Sequence, residues 1–246
     1  MIPKIIHYCW LSNDAVPANL RRCMKTWQKV LPDYVFMKWD FSKFDKESSI
    51  WVKEAFEAKK YAFAADYIRL YALYNYGGIY LDMDVEVLKS FDDFLSLPTM
   101  LCYENATDKR LEVAAFGAEQ HSEWIKVCLS YYENRHFINE DGTMNTTVLP
   151  IIIRNCLNNN GFVLHDVENV WSASECQDIV IPVFPYDYFS PKSYSTMKIE
   201  TTNNTYCIHH FAGTWMNCRY KIFNKLKIVK LYWIVALARK IKSKFC

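Results

Sequence analysis

The sequence predicts an α/β fold: one Rossmann-like domain with a mixed, mostly parallel sheet. Strand-like and helical segments alternate along the chain, an order that covers both faces of a sheet with helices. The 246 residues suffice for one sizeable domain, and a hydrophobic content of 51% supplies its core. Neither an internal repeat nor a low-complexity linker divides the chain.

The alternation is clearest at the start of the chain. An apolar, β-branched run predicts a strand over residues 2–10, and a segment with one cationic face predicts a helix over 17–30. A second strand is predicted over 34–39 and a second helix over 50–59. The later segments are predicted as strands over 100–104 and 113–116, helices over 122–132 and 146–158, and a strand over 179–184.

Residues 61–86 are the most informative part of the sequence. A helix is predicted over 61–74, and Gly77-Gly78 ends it and leads into a short buried strand. Asp82 and Asp84 follow, and residues two apart on an extended segment point to the same side. Two neighbouring carboxylates repel each other unless a cation lies between them or one is protonated. We therefore predict a site for a hard divalent cation such as Mg²⁺ or Mn²⁺.

Two charged residues, Asp66 and Arg69, share one face of the predicted helix, which is otherwise apolar or aromatic. Unpaired buried charge costs several kcal/mol, so both residues need partners. Two interpretations remain open. Either Asp66 and Arg69 form a site together with the carboxylate pair, or they form a self-contained ion pair beside an acidic strand end that faces solvent.

Three segments of the chain resemble those of a known family, in the same order. They are the opening IPKIIHYCWLS, the central AFAADYIRLYALYNYGGIYLDMDVEVL and the late IHHFAGTW. The chain resembles the family 32 glycosyltransferases, which include bacterial capsule and lipopolysaccharide sugar transferases and the yeast initiating mannosyltransferases. The central segment, with its DxD signature, is also similar to that of the large glucosylating bacterial toxins. The resemblance implies a GT-A-type fold.

The resemblance also implies a role for the charged residues of the central segment. Asp84 would ligate the cation directly, and Asp82 would contact the ribose or sugar hydroxyls and reach the cation directly or through water. Asp66 and Arg69 match positions that hold the donor sugar and its phosphate. Trp10 matches the tryptophan that stacks on the nucleotide base in the toxins.

The late segment resembles the closing motif of the family through His209, His210, Gly213 and Trp215. On this resemblance His210 completes the metal shell, and His209 faces the other way on an extended segment. An imidazole ligand favours Mn²⁺ over Mg²⁺. Gly213 and Trp215 would belong to a loop that covers the donor's diphosphate when the donor binds.

The function implied is that of a retaining, metal-dependent hexosyltransferase. It would move a hexose from a nucleotide sugar, a UDP-hexose before others, to a cell-surface glycan or a lipid-linked acceptor. UDP-galactose, UDP-glucose, a UDP-N-acetylhexosamine and a GDP-sugar stay open as donors. Two other classes also stay open: a catalytically silent, membrane-attached module that binds nucleotide sugars, and a metal-dependent phosphoesterase, which often needs ligands for two ions.

Charge separates a predicted glycosyltransferase domain, residues 1–218, from a basic tail, residues 219–246. Residues 201–246 contain nine Lys or Arg and no Asp or Glu. Apolar residues of the tail recur at helical spacing, in a run too short to span a bilayer. We predict an amphipathic helix that lies on an anionic membrane surface. A helix packed on the protein body is the alternative.

Nine scattered cysteines without a CxxC pair favour free thiols in a reducing compartment. The first residues lack a basic segment followed by a long apolar core, so we expect no signal peptide. Together with the tail, these features predict a cytoplasmic protein held at the inner face of the cell membrane. Its expected partners are a nucleotide sugar and a glycan or glycolipid acceptor, and no nucleic acid.

Overall fold

The computed structural model of the protein describes residues 1–176 and 179–214. The α-helices in these ranges are α1 (Ala18–Val30), α2 (Ile50–Glu57), α3 (Tyr61–Tyr76), α4 (Glu123–Ser130), α5 (Leu149–Asn159) and α6 (Val170–Ser174). The strands are β1 (Ile5–Cys9), β2 (Val35–Trp39), β3 (Gly78–Leu81), β4 (Val85–Val87), β5 (Thr99–Met100), β6 (Ala115–Ala118), β7 (Val163–Asp166), β8 (Val180–Val183) and β9 (Cys207–His209).

The central sheet has the strand order β2-β1-β3-β6-β5. Strand β1 pairs in parallel with β2 and β3, whereas β6 is antiparallel to both β3 and β5. A parallel bridge between Cys102 and Phe184 continues the sheet toward β8, which is parallel to β7. The carboxyl ends of β1, β3, β7 and β8 therefore lie at one edge of the sheet. The predicted α/β class with a mixed, mostly parallel sheet is confirmed.

Hydrophobic side chains pack on both faces of this sheet. Tyr80 of β3 belongs to the cluster that contains α2, α3, α4 and α5, while its neighbours Ile79 and Leu81 belong to the cluster around α1. Successive residues of a strand point to opposite faces, so a strand covered on both sides is apolar throughout. On the second face, the indole N–H of Trp27 in α1 donates to the Val85 carbonyl of β4 at 2.7 Å.

Gly77 and Gly78 make the turn from α3 into β3, as predicted. Both have positive φ angles, 62° and 107°, which favour glycine. A Cβ atom on Gly78 would lie 2.6 Å from the Ile5 carbonyl oxygen, so the close approach of β1 also excludes a side chain. The ring of His7, which is fully buried, bonds the Gly77 carbonyl at 2.7 Å and the Trp39 indole at 3.0 Å. This histidine is a structural residue.

The observed elements differ from the predicted ones in several places. Helix α5 begins at Leu149 rather than at residue 146, because Pro150 is accommodated in the first turn of a helix. The strand predicted over 100–104 is short, and the chain after it forms a hairpin with Tyr103 opposite Leu111. Strands β4, β7 and β9, which the sequence did not predict, are only three or four residues long.

The predicted tail of residues 219–246, its boundary at residue 218 and Trp215 lie outside the described residues. None of the helices within the described ranges combines the length and apolarity that crossing a membrane requires.

Candidate active site

Asp82 and Asp84 lie in a tight turn that links β3 to β4, at the carboxyl edge of the sheet. The turn closes with a hydrogen bond from the Val85 N–H to the Asp82 carbonyl at 2.9 Å. The two carboxylates come together as predicted, although the sequence predicted an extended segment. Ligands of α/β sheets bind at this edge of the strands.

A histidine from far along the chain joins the pair because β4 is antiparallel to β9. This register places Val85 opposite His209. One ligand atom each from Asp82, Asp84 and His209 lie within 4.8 Å of one another. The imidazole Nε2 of His209 is 3.7 Å from Asp84 Oδ2. The three side chains thus form a compact group. The short pairing of β4 with β9 holds His209 beside the two carboxylates.

The donor set of this group fits a divalent cation. Asp84 Oδ2 accepts a hydrogen bond from the Ala212 N–H at 2.6 Å, and Asp82 Oδ1 accepts one from the Tyr80 hydroxyl at 3.0 Å. These hydrogen bonds, each to one oxygen, orient the two carboxylates. Burial raises the pKa of Asp82, Arg69 opposes the rise, and the Asp84 carboxylate adds to it. A cation between the two carboxylates would relieve this repulsion. Carboxylate oxygens with one imidazole suit Mn²⁺.

The family resemblance implied His210 as the metal ligand, whereas the structure brings His209, one residue earlier, to the carboxylates. The ring of His210 lies 2.8 Å from Glu86 Oε2, and its backbone N–H donates to the Asp84 carbonyl at 3.1 Å. Neighbouring residues of an extended segment point to opposite sides, so only one of the two imidazoles can face the carboxylates. The pairing of β9 with β4 selects His209.

Glu112 is a site residue that the sequence analysis missed. Its Oε2 lies 3.1 Å from His209 Nδ1, and its Oε1 accepts the Ala114 N–H at 2.7 Å. The residue is 1% exposed. A carboxylate in this place fixes the ring orientation and tautomer of a metal-binding histidine. The available signal was a single glutamate in the otherwise apolar run Leu111–Gly117, which predicts a buried charge with a partner.

The charges of Glu112 and His209 depend on each other. Burial lowers the pKa of His209, but the Glu112 and Asp84 carboxylates outweigh it and raise the pKa to about 10. Burial raises the pKa of Glu112, but His209 outweighs it and the net change is downward. When no metal ion is bound, the surrounding carboxylates therefore keep the His209 imidazole protonated and positively charged.

Asp66 and Arg69 extend the site on the side of α3. The guanidinium Nη2 of Arg69 is 3.1 Å from Asp66 Oδ1 and 3.4 Å from Asp82 Oδ1. The guanidinium also lies 4.4 Å from the centre of the Tyr80 ring. Burial raises the pKa of Asp66 to about 6, and Arg69 opposes the rise. The Asp66–Arg69 pair is therefore not self-contained, because Arg69 links it to the carboxylate pair.

Trp10 and Gly213, the remaining predicted residues that the structure describes, lie near the same edge of the sheet. Trp10 is half-buried at the carboxyl end of β1, the strand next to β3, and its indole N–H donates to the Asp14 carbonyl at 2.9 Å. Gly213, with a φ angle of 55°, follows directly after Ala212, whose N–H binds Asp84. The structure therefore places the start of the closing motif at the carboxylates and Trp10 at the same edge.

A pair of carboxylates and an imidazole at the ligand-binding edge of an α/β sheet, with a buried Asp–Arg pair beside them, define a candidate enzyme site of the metal-binding class. Residues 17–101 match the family described as "Glycosyltransferase sugar-binding region containing DXD motif". Residues 17–101 are thus similar to the sugar-binding region of the DXD glycosyltransferases, which confirms the family resemblance found in the sequence. The matched range includes Asp66, Arg69, Asp82 and Asp84.

Several known proteins are similar to this chain over part of their length. Mannosyl phosphorylinositol ceramide synthase CSH1 of Saccharomyces cerevisiae is 29% identical over 144 residues, 56% of this chain and 38% of that protein. Inositol phosphoceramide mannosyltransferase 3 of Schizosaccharomyces pombe is 34% identical over 101 residues, 39% of this chain and 28% of that protein. The chain thus spans less than half the length of either relative.

Among solved structures, one titled "PaToxG Glycosyltransferase" is similar with a TM-score of 0.48 and 19% identity, over 65% of this chain and 70% of that chain.

Proposed function

We propose that this protein is a retaining, metal-dependent glycosyltransferase that moves a hexose from a nucleotide sugar to a glycan or glycolipid acceptor. The observation that carries the proposal is the group of Asp82, Asp84 and His209 within 4.8 Å at the edge of the sheet, with both aspartates inside the matched sugar-binding region. A silent binding module would not need this complete donor set.

The reaction breaks the bond between the anomeric carbon and the diphosphate, so negative charge grows on the leaving group. A divalent cation held by Asp82, Asp84 and His209 supplies Lewis-acid stabilisation of that charge when it is bound. Arg69 positions Asp82 and Asp66, and Glu112 positions the His209 ring. In this proposal the Asp66 carboxylate accepts hydrogen bonds from sugar hydroxyls and Trp10 stacks on the nucleotide base, the roles that the family resemblance implies.

The donor sugar is proposed from the family resemblance and from the relatives. A UDP-hexose is the first candidate, with Mn²⁺ or Mg²⁺ as the cation. The names of both relatives described above refer to an inositol-bearing ceramide, and one is named a mannosyltransferase. Nucleotide-linked mannose is therefore the second candidate, and a glycolipid is an acceptor that suits this chain.

Donor hydrolysis and transfer test the proposal directly. The purified protein is incubated with Mn²⁺ and a panel of UDP- and GDP-sugars, and release of nucleoside diphosphate is measured. We expect release from one donor class, and retention of the anomeric configuration in the product by NMR. A protein that cleaves phosphoesters, or that binds a nucleotide sugar without any turnover, would contradict the proposal and favour the other two classes.

We further propose that the basic tail of residues 219–246 holds the protein on the anionic inner face of the cytoplasmic membrane. The support is the charge of the sequence, with nine Lys or Arg and no acidic residue from 201 onward. Flotation with vesicles of phosphatidylglycerol and phosphatidylcholine tests this. We expect the full chain to float and a chain truncated after Tyr220 to stay behind, and equal flotation of both would contradict the idea.

A further inference from the structure

The proposed site contains more negative than positive side chains before any donor binds. Asp66, Asp82, Asp84 and Glu112 contribute carboxylates, and Arg69 and His209 are the charged partners that contact them. A nucleotide sugar adds the negative charge of its diphosphate. A second cationic group near Asp84 would therefore help to bind the donor, in addition to the divalent cation.

Arg69 is poorly placed for this role because most of its five N–H donors are already used. Its Nη1 donates to the Val113 carbonyl at 2.7 Å, and its Nη2 contacts the carboxylates of Asp66 and Asp82. The residue is 4% exposed. A guanidinium held by buried carboxylates orients those carboxylates, and it has little capacity left for a phosphate.

Lys192 is a cation that the fold brings near Asp84, through the backbone of His210. Its Nζ donates to the His210 carbonyl at 2.8 Å, and the His210 N–H donates to the Asp84 carbonyl at 3.1 Å. The side chain is half-buried. Burial lowers the pKa of Lys192, and the Asp84 carboxylate opposes the change.

The ammonium group of Lys192 keeps capacity for a ligand. A lysine has three N–H donors, and the His210 carbonyl takes one of them. Within the described part of the chain, Lys192 forms no ion pair with a carboxylate inside 4.0 Å, unlike Lys109 or Lys198, which pair with Asp166 and Glu200. A partly desolvated ammonium without a close counter-ion is a suitable ligand for a phosphate.

We propose that Lys192 binds the diphosphate of the nucleotide-sugar donor, a role that rests on the proposed function. In this arrangement Lys192 contacts the phosphate oxygens on the side of the closing motif, while Asp82, Asp84 and His209 hold the divalent cation. The chemical class of the ligand is a diphosphate, and the contact does not depend on the sugar or the base.

Calorimetric titration with inorganic pyrophosphate in the presence of Mn²⁺ tests the role without a known donor. Lys192→Met removes the ammonium, and Lys192→Gln keeps a donor for the His210 carbonyl but removes the charge. Lys198→Met is the matched control, since Lys198 lies six residues away and pairs with Glu200 at the surface. We expect both Lys192 variants to bind pyrophosphate about ten- to a hundredfold more weakly than the wild type.

Two further results separate this inference from the proposed function. Mn²⁺ binding alone, followed by electron paramagnetic resonance, should not be weakened in Lys192→Gln because Lys192 is not a metal ligand. Wild-type affinity for pyrophosphate in that variant, together with loss of Mn²⁺ binding in Asp84→Asn, would overturn the role of Lys192 and leave the proposed function standing. A wild type that binds neither Mn²⁺ nor pyrophosphate would overturn both.

Discussion

Two regions build the candidate site, and they differ in how far apart their residues lie in the sequence. The first is the continuous segment from Asp66 to Asp84, in which a helix, a glycine turn and a strand position four charged side chains. The second is assembled from Glu112, Lys192 and His209, which come from separate parts of the chain. Local geometry determines the first region, whereas the pairing of β4 with β9 determines the second.

This difference teaches what each region contributes. The continuous segment supplies the carboxylates, and its arrangement depends on contacts between sequence neighbours, such as Tyr80 with Asp82 at 3.0 Å. The distant residues supply the imidazole and its orientation. We therefore expect substitutions in the two regions to differ in the size of their effect on the site.

The largest effect is expected in the continuous region. Asp84→Asn removes a charged metal ligand but keeps an oxygen that can accept the Ala212 N–H, so the fold should survive. We expect sugar transfer to fall roughly 10³-fold with an unchanged melting temperature. Asp33→Asn, a surface substitution in an ion pair with Lys4, is the control and should keep wild-type activity. Near-normal activity of Asp84→Asn would remove this residue from the site.

A comparison of the two histidines tests the distant region most directly. We expect His209→Ala to weaken Mn²⁺ binding on the order of 10²-fold, because it removes a ligand. His210→Ala should change the affinity little, since its ring contacts Glu86. Mn²⁺ titration of both variants, with thermal melts to confirm folding, makes the measurement. The opposite ranking would show that the register inferred from the family resemblance is correct.

A smaller effect is expected at Glu112, which reaches the site only through His209. Glu112→Gln keeps an oxygen acceptor and removes the charge, so the imidazole loses part of its orientation. We expect Mn²⁺ affinity to fall about tenfold, the lower end for a residue that orients a ligand. Glu119→Gln, in a surface ion pair with the N-terminal amine, serves as the control. Unchanged Mn²⁺ affinity would show that Glu112 is a buried partner of His209 that does not affect metal binding.

The smallest effect is expected at Trp10, which lies at the end of β1 outside both regions. Trp10→Leu removes an aromatic face, and stacking on a base is worth about 1–3 kcal/mol. We expect the dissociation constant for a nucleoside diphosphate to rise about fivefold, while Mn²⁺ affinity stays constant. Trp10→Phe should recover most of the loss. Equal nucleotide affinity in Trp10→Leu and the wild type would show that the base lies elsewhere.

The sequence predicted the first region well because its signals are local. The apolar run after Gly77-Gly78 could only be a buried strand, and the glycines were needed for the turn and for the approach of β1. The helix that carries Asp66 and Arg69 was predicted to within two residues at its end. The one local error, an extended segment instead of a turn at Asp82, did not change which side chains meet.

The second region could not be predicted in the same way. Which histidine faces the carboxylates depends on the register of a three-residue strand, and such a strand has no periodicity to read. Glu112 and Lys192 have ordinary sequence contexts, and their importance comes from what tertiary pairing places next to them. Only the apolar surroundings of Glu112 gave a sign of its burial.

The pairing of β9 with β4 also has a consequence for the order in which the site forms. The Ala212 N–H that binds Asp84 lies 128 positions further along the chain, so this contact closes a long loop and carries the entropic cost of doing so. A ribosome must therefore synthesise most of the polypeptide before the cation-binding group is complete. A nascent chain that ends before β9 would have the two aspartates without His209, and a rise in metal affinity would mark the pairing of β9 with β4.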